Sequence, residues 1–528
     1  MGKLGLWTGA VVIFLMQSCG PSRPVKQPVQ EMEKLPTPQE IEASFQSADW
    51  STRSNAVVDA IRIQYDGGKD TILRLLIHDP HVAVKAAACV GAAHFQDARA
   101  GAPMLRYLKD PQCQIPDRVL VDALGQLKYR PAAATVVQYL ANEDHTMRLI
   151  AVAALEGMGE TGVCGQVLAM ARKNKDPEFA KTYAMSMGKI PCRNSEDYLI
   201  QLAQKSAAGP TLAASYLALG RIKSRNGISL LVNALEKEFP KGKENAAIAL
   251  KEIQSPSSLP LLFAVVEKGD KNFIWDAARV IPEIQKEKTR ENSGKRAHAL
   301  FLKKNAIIQP AAAYILGHLQ YKTATGDLLA YVRDPKASGR VEVVDALGWM
   351  QDKSAVPELI KILQEKSGDA RAQAALSLGF LNAAEAIPYL NETSLSGDNK
   401  LAKNSIEALS MIAAEGSLET LEKILKKDNE FSPLAAAAIA SSVETRADEV
   451  LITEVEKGSP AKRKSILNAM AKRASEKYVD VLMRLVEDDD PDLRKALYFT
   501  LKSITKKEYY AKNQWLNWYV DYKSGKKQ

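Results

Sequence analysis

Asp345 to Leu363 reads DALGWMQDKSAVPELIKIL, and this stretch decides the fold. It has three parts: a small-residue helix closing on Leu-Gly, a short polar turn, and a second apolar helix. Leu347 and Met350 flank Gly348 at a spacing of three, which puts both on one helix face. Pro357 stands near the start of the second helix, where a missing N–H costs nothing. The same sentence recurs at Asp122 to Leu140 (DALGQLKYRPAAATVVQYL), Tyr314 to Val332 (YILGHLQYKTATGDLLAYV) and Ala374 to Leu390 (AALSLGFLNAAEAIPYL). Leu124 and Leu127 flank Gly125, Leu378 and Leu381 flank Gly379, and Pro131 and Pro388 repeat the role of Pro357.

Aligning every block on the glycine, or on the residue replacing it, gives a series of markers from Arg62 through Gly91, Gly125, Gly188, Gly220 and Gly317 to Lys502. Neighbouring markers stand about 29 to 35 positions apart, the period of paired-helix solenoids. The expectation is an all-α protein, an α-solenoid of about fifteen helix-pair repeats that each bury a face against the next. The marker is small in most repeats, which points to two helices approaching closely there.

Composition agrees. The 528 residues are 46% hydrophobic but only 6% aromatic, which excludes wholesale disorder and favours helices packed through Ala and Leu. Lys and Arg (71) are interleaved with Asp and Glu (62), so the net charge of +9 is a mild bias and reads as a solvated surface.

The Ala-Leu-Gly-x-Leu core and the second helix Ala355 to Ile360 resemble HEAT repeats, of the short type also found in phycobilin lyases. The match is strongest over 317–390. Ile504 to Tyr510, followed by Trp515 and Trp518, is similar to the closing segment of some bacterial HEAT-repeat proteins, without the Gly usual after the Thr. Physically it reads as aromatics covering the open apolar end of a stack. The resemblance implies a scaffold that binds a protein partner. It also admits enzymes, such as phycobilin-lyase-type or DNA-glycosylase-type proteins. Iron hydroxylases of this class use His-Glu pairs, and none of the six His is followed by Glu. The expectation is therefore no catalytic residues, no metal, no cofactor and no nucleic acid.

The first residues read as an address. Lys3 precedes an apolar run, Leu4 to Met16, too short to span a bilayer comfortably, and Ser18-Cys19 follows. This resembles a bacterial lipoprotein signal, in which the cysteine becomes the lipid-carrying N-terminus. Met16 and Gln17 depart from the usual residues and Ser18 fits. Prolines 21, 24, 28, 36 and 38 then make an extended tether. The expected organisation is a signal peptide over 1–18, a Pro-rich tether over 19–40, the solenoid over 41–504, and a cap with a basic tail over 505–528. The expected location is a bacterial cell envelope, anchored to a membrane by lipid on its periplasmic or surface face.

Three further features bear on function. Lys286 to Lys304 is the most basic stretch, at the longest marker spacing, and holds Lys286, Lys288, Arg290, Lys295 and Arg296 with Lys303 and Lys304. It reads as a patch for an anionic partner or, in the more ordinary reading, as a loose, solvated connection. Cys164 and Cys192 occupy similar turns of adjacent repeats. Packed helices lie about 8–10 Å apart and a disulfide needs Cα atoms within about 7 Å, so two unpaired, partly buried thiols are favoured unless the loops close the gap. Finally, the residue after the marker is mostly polar in repeats three to eight, but in the next four repeats it is His318, Trp349, Phe380 and Met411, after which polar residues return. Equivalent positions line up along a solenoid. These four make either an apolar stripe for a partner or side chains folded into the neighbouring repeat as core, the commoner fate.

The anchor is testable directly. Intact-mass measurement should find mature protein beginning at Cys19 and carrying acyl chains, because two or more chains are needed to hold a membrane firmly. Unmodified Met1, or cleavage elsewhere, would contradict this.

Overall fold

The computed structural model describes residues 36–525, apart from 175, 208, 238–239, 285–286 and 510. Every element among the described residues is an α-helix or a short 3-10 turn. The chain is an all-α solenoid of helix pairs that divides into two compact units, Met1–Glu160 and Thr161–Gln528. In each, first helices pack on first helices in one layer and second helices form another. Leu124, Leu347, Met350, Leu378 and Leu381, which flank the markers, are buried, while Leu127 is half-buried.

The marker glycine is where successive first helices come together. A Cβ on Gly125 would lie 2.4 Å from the Cα of Ala154, and one on Gly379 would lie 2.8 Å from the Cα of Ala408. The same meeting recurs at Gly188 on Ala218, Gly220 on Ala249, Gly317 on Ala346 and Gly348 on Ser377. Small residues face each other because the backbones themselves are in contact.

Many of the first helices then end in the same turn. The amide of Ala383 donates to the carbonyl of Leu378, and that of Asn382 to Gly379, while Asn382 has φ +51°. This is a Schellman motif with a left-handed residue at its centre. It repeats around Lys128, Lys223 and Gln320. In these turns the left-handed residue is not glycine, and in three repeats its side chain has a task. Gln96, Gln254 and Gln351 donate through Nε2 to the carbonyls of Gln126, Glu283 and Phe380 in the following repeat, at 3.1, 2.8 and 2.9 Å. A helix-end carbonyl that would otherwise lack a partner is thereby satisfied across the stack. The turn also fixes the register. It puts Ile61, Ala93 and Ser503 where sequence alignment places Arg62, Gly91 and Lys502. Gly91 is small for a different reason: a Cβ there would meet the Val57 side chain at 2.7 Å.

On the opposite edge, an arginine early in the first helix turns back to cap the preceding second helix. Arg340 donates from Nε to the Val332 carbonyl (2.6 Å) and grips both oxygens of Glu365 (2.9 and 2.6 Å). Arg463 caps Val455 and donates to one oxygen of Asp488, and Arg371 caps Leu363.

Several expectations change here. The first helix, Pro38–Phe45, starts inside the stretch read as tether, because Thr37 forms a capping box with Glu40 and Pro38 takes the first helical position. The basic stretch is no loose connection. Glu287–Leu302 is a 16-residue helix, twice the length of second helices such as Val356–Leu363, and this accounts for the long marker spacing. Cys164 and Cys192 are joined, with Cα atoms 5.4 Å apart. The expectation of free thiols fails because it used the spacing of helix axes. Cys192 sits in the Schellman turn, where its amide donates to the Met187 carbonyl, and the turn brings it toward the start of the Cys164–Lys173 helix. Across a separation of 28 residues the bridge contributes about 3–4 kcal/mol in the chain-entropy description. At the C-terminus Trp515 is fully buried and Trp518 nearly so, with Tyr509 and Tyr498 packed around Trp515; the helix Lys512–Lys523 closes the stack as a cap.

The close approach predicts opposite signs for one substitution at two glycines. Gly379→Ala should cost about 1–3 kcal/mol, since the neighbour it meets is backbone. Gly326→Ala, in the Thr325–Val332 helix with nothing within 4 Å of the added Cβ, should gain about 0.5–1 kcal/mol. Denaturation midpoints of the two variants check this.

Candidate functional site

The four residues after the markers are brought together on the outer face of the first-helix layer. His318 stacks on Trp349 with ring centroids 4.9 Å apart, and Trp349 meets Phe380 at 4.8 Å. The sulfur of Met411 reaches back to the Phe380 helix, 3.1 Å from where a Cβ on Gly379 would be. Stacking follows from the close approach beneath: residues next to backbones in contact have nowhere to lie but against each other. They are not core. Trp349 is 38% and Met411 43% exposed, and His318 and Phe380 are half-buried.

The ladder is longer than the sequence reading. Tyr314 lies 4.0 Å from His318, and Trp275 lies 5.8 Å from Tyr314. Arg279 stands over the Trp275 ring at 5.8 Å. The signal for these residues was available. Tyr314 is four residues before His318, as Asp345 is before Trp349 and Leu376 before Phe380, and residues four apart share a helix face.

Asp345 is the polar group of the site. Its Oδ1 accepts from Trp349 Nε1 (3.2 Å) and from Gln373 Nε2 on the next helix (2.7 Å). Burial raises its pKa, with the neighbouring Glu342 adding to the rise, against the opposing pull of the Trp349 hydrogen bond and of His318. Glu342, Asp345 and Trp349 lie at i, i+3 and i+7 on one face of the Arg340–Trp349 helix.

The other sequence candidates are placed differently. Cys19 and Lys286 lie outside the described residues, as does the Lys288 side chain. Arg290 donates to the Leu319 carbonyl (2.8 Å), Lys295 pairs with Glu291 (3.3 Å), and Arg296 pairs with Glu267 (3.7 Å) while stacking on Phe263. These three cations are engaged within their own stack. The structure therefore does not gather them into an open patch. Among the described residues no group of three or more His, Cys, Asp or Glu is placed to hold a metal, and no helix is long and apolar enough to cross a membrane.

Comparison with known proteins gives the class. A model of HEAT repeats matches residues 297–377 and 356–442, the part that carries the ladder. Yeast importin-beta (Kap95p) is similar in fold, with a TM-score of 0.54 at 13% identity, over 92% of this chain and 74% of that one. A second importin beta structure matches with a TM-score of 0.46 at 13% identity, over 88% of this chain and 77% of that one. No curated protein sequence matches. The chain is an α-solenoid, and its residues 297–442 carry HEAT repeats.

Asp345 gives the site a pH signature. Its folded pKa lies above its unfolded value, so its ionisation costs stability. That cost is absent below the unfolded pKa of about 4 and sets in as pH rises through the folded one. Asp345→Asn, which still accepts both hydrogen bonds, should raise the thermal midpoint at pH 7, with the advantage vanishing toward pH 3. A lower midpoint at pH 7 would show that the charge stabilises the fold.

Proposed function

We propose that this chain is an exported, lipid-anchored HEAT-repeat scaffold of a bacterial cell envelope, non-catalytic, that holds a protein partner on the ladder formed by His318, Trp349, Phe380 and Met411. The observation that carries the reading is the partial exposure of that ladder. Four consecutive repeats present apolar side chains to solvent at the position where most other repeats carry polar ones. Contiguous exposed apolar surface marks interaction sites, and tryptophan dominates binding hot spots. Export is supported by the Lys3 to Cys19 signal and by the Cys164–Cys192 bridge, since disulfides persist in oxidising compartments.

A photo-crosslinking residue placed at Phe380 in intact cells should trap a polypeptide partner, while the same residue at the exposed Lys427 should not. Trp349→Ala should weaken that partner's binding by at least about 2 kcal/mol with little change in melting. The reading fails if position 380 traps no more than position 427, or if Trp349→Ala instead costs the about 3–5 kcal/mol of stability expected of a core aromatic.

A further inference from the structure

The charges around the ladder specify what docks there. Glu342 is exposed and Asp345 half-buried on the face that carries Trp349. Neither has an ion-pair partner among the described residues, unlike Glu283, which pairs with Lys251 at 3.5 Å, and Glu407, which pairs with Lys403 at 3.9 Å. Arg279, the nearest cation toward the Tyr314 end, stands over Trp275. The centre of the apolar stripe therefore carries two carboxylates that their own chain leaves unneutralised, one of them drawn under the edge of an exposed indole by the bonds from Trp349 and Gln373.

We propose that the ladder takes a cationic, apolar-rich polypeptide segment, whose apolar side chains cover Trp349, Phe380 and Met411 and whose Arg or Lys reaches Glu342 and Asp345. This rests on the reading of the ladder as a partner site and adds the partner's chemistry. A guanidinium fits best. Its planar fork suits a carboxylate and its face stacks on an aromatic ring, and both lie within one turn of the helix here. An acidic segment is excluded by the same two charges, because like-charge juxtaposition across an interface is strongly unfavourable.

The test uses the full chain and two fluorescent 14-residue peptides, one alternating Leu with Arg and one alternating Leu with Glu, read by anisotropy at low salt. The Arg peptide should bind at least tenfold more tightly than the Glu peptide and weaken as salt is raised. Trp349→Ala should weaken it about thirtyfold. Glu342→Gln, at an exposed position where folding is preserved, should weaken it several-fold, and Glu342→Lys should abolish the preference for Arg over Glu. Equal binding of the two peptides overturns the proposal. So does Arg-peptide binding that survives both Trp349→Ala and Glu342→Lys, or no Arg-peptide binding at all. The outcome is separable from the broader reading: a partner trapped at position 380 through an acidic segment would keep the ladder as a protein site and remove only its cationic specificity.

Discussion

The structure depends on one contact, the meeting of two helix backbones at a glycine. Where Gly125 faces Ala154 or Gly379 faces Ala408, no side chain separates the helices. Flanking leucines can then bury on both sides of the contact, and each repeat obtains its core from its neighbours rather than from itself. The turn that follows is forced by this arrangement. A helix packed so closely must stop and reverse within a few residues, and a turn with a left-handed residue does so; where that residue is Gln96, Gln254 or Gln351, its side chain also satisfies a carbonyl of the next repeat.

The ladder is a by-product of the same contact. Side chains one residue beyond the glycine are held close to their equivalents in adjacent repeats. Most repeats place polar groups there, such as Gln126, which bonds to Asp122, and Glu283, which pairs with Lys251. Where they are aromatic, they stack, and the stack remains partly exposed because the layer has nothing further to cover it. Asp345 then ties Trp349 to the following helix through Gln373. A half-buried carboxylate without a counter-charge is unfavourable for folding and favourable for recruiting a cation. On the proposed reading, stability is given up at one residue for complementarity to a partner.

Much of this was legible beforehand for a plain reason. A repeated fold writes each structural requirement many times, so a small residue at a fixed period is visible through the substitutions around it. The stripe at His318, Trp349, Phe380 and Met411 was legible by the same logic. What was not legible depended on distances that periodicity does not encode. Helix spacing argued against the Cys164–Cys192 bridge, and only the path of the turn brings those Cα atoms to 5.4 Å. A run of cations read as a loose connection, but Arg290 and Arg296 bond to groups far from them in sequence, Leu319 and Glu267. Pro38 read as tether until Thr37 and Glu40 were seen to cap a helix around it.

The amino-acid sequence by itself determined the class of fold, the register of most repeats, the buried flanks of each glycine, the aromatic cap and the line of four apolar residues. All of these follow from spacing along a helix, which the chain carries locally. Only the tertiary structure decided whether those four residues were core or surface, which acids lack partners, and which cysteines meet. Exposure, charge pairing and covalent reach are set by neighbours about thirty residues away, where a fraction of a turn in the connecting loop separates contact from its absence.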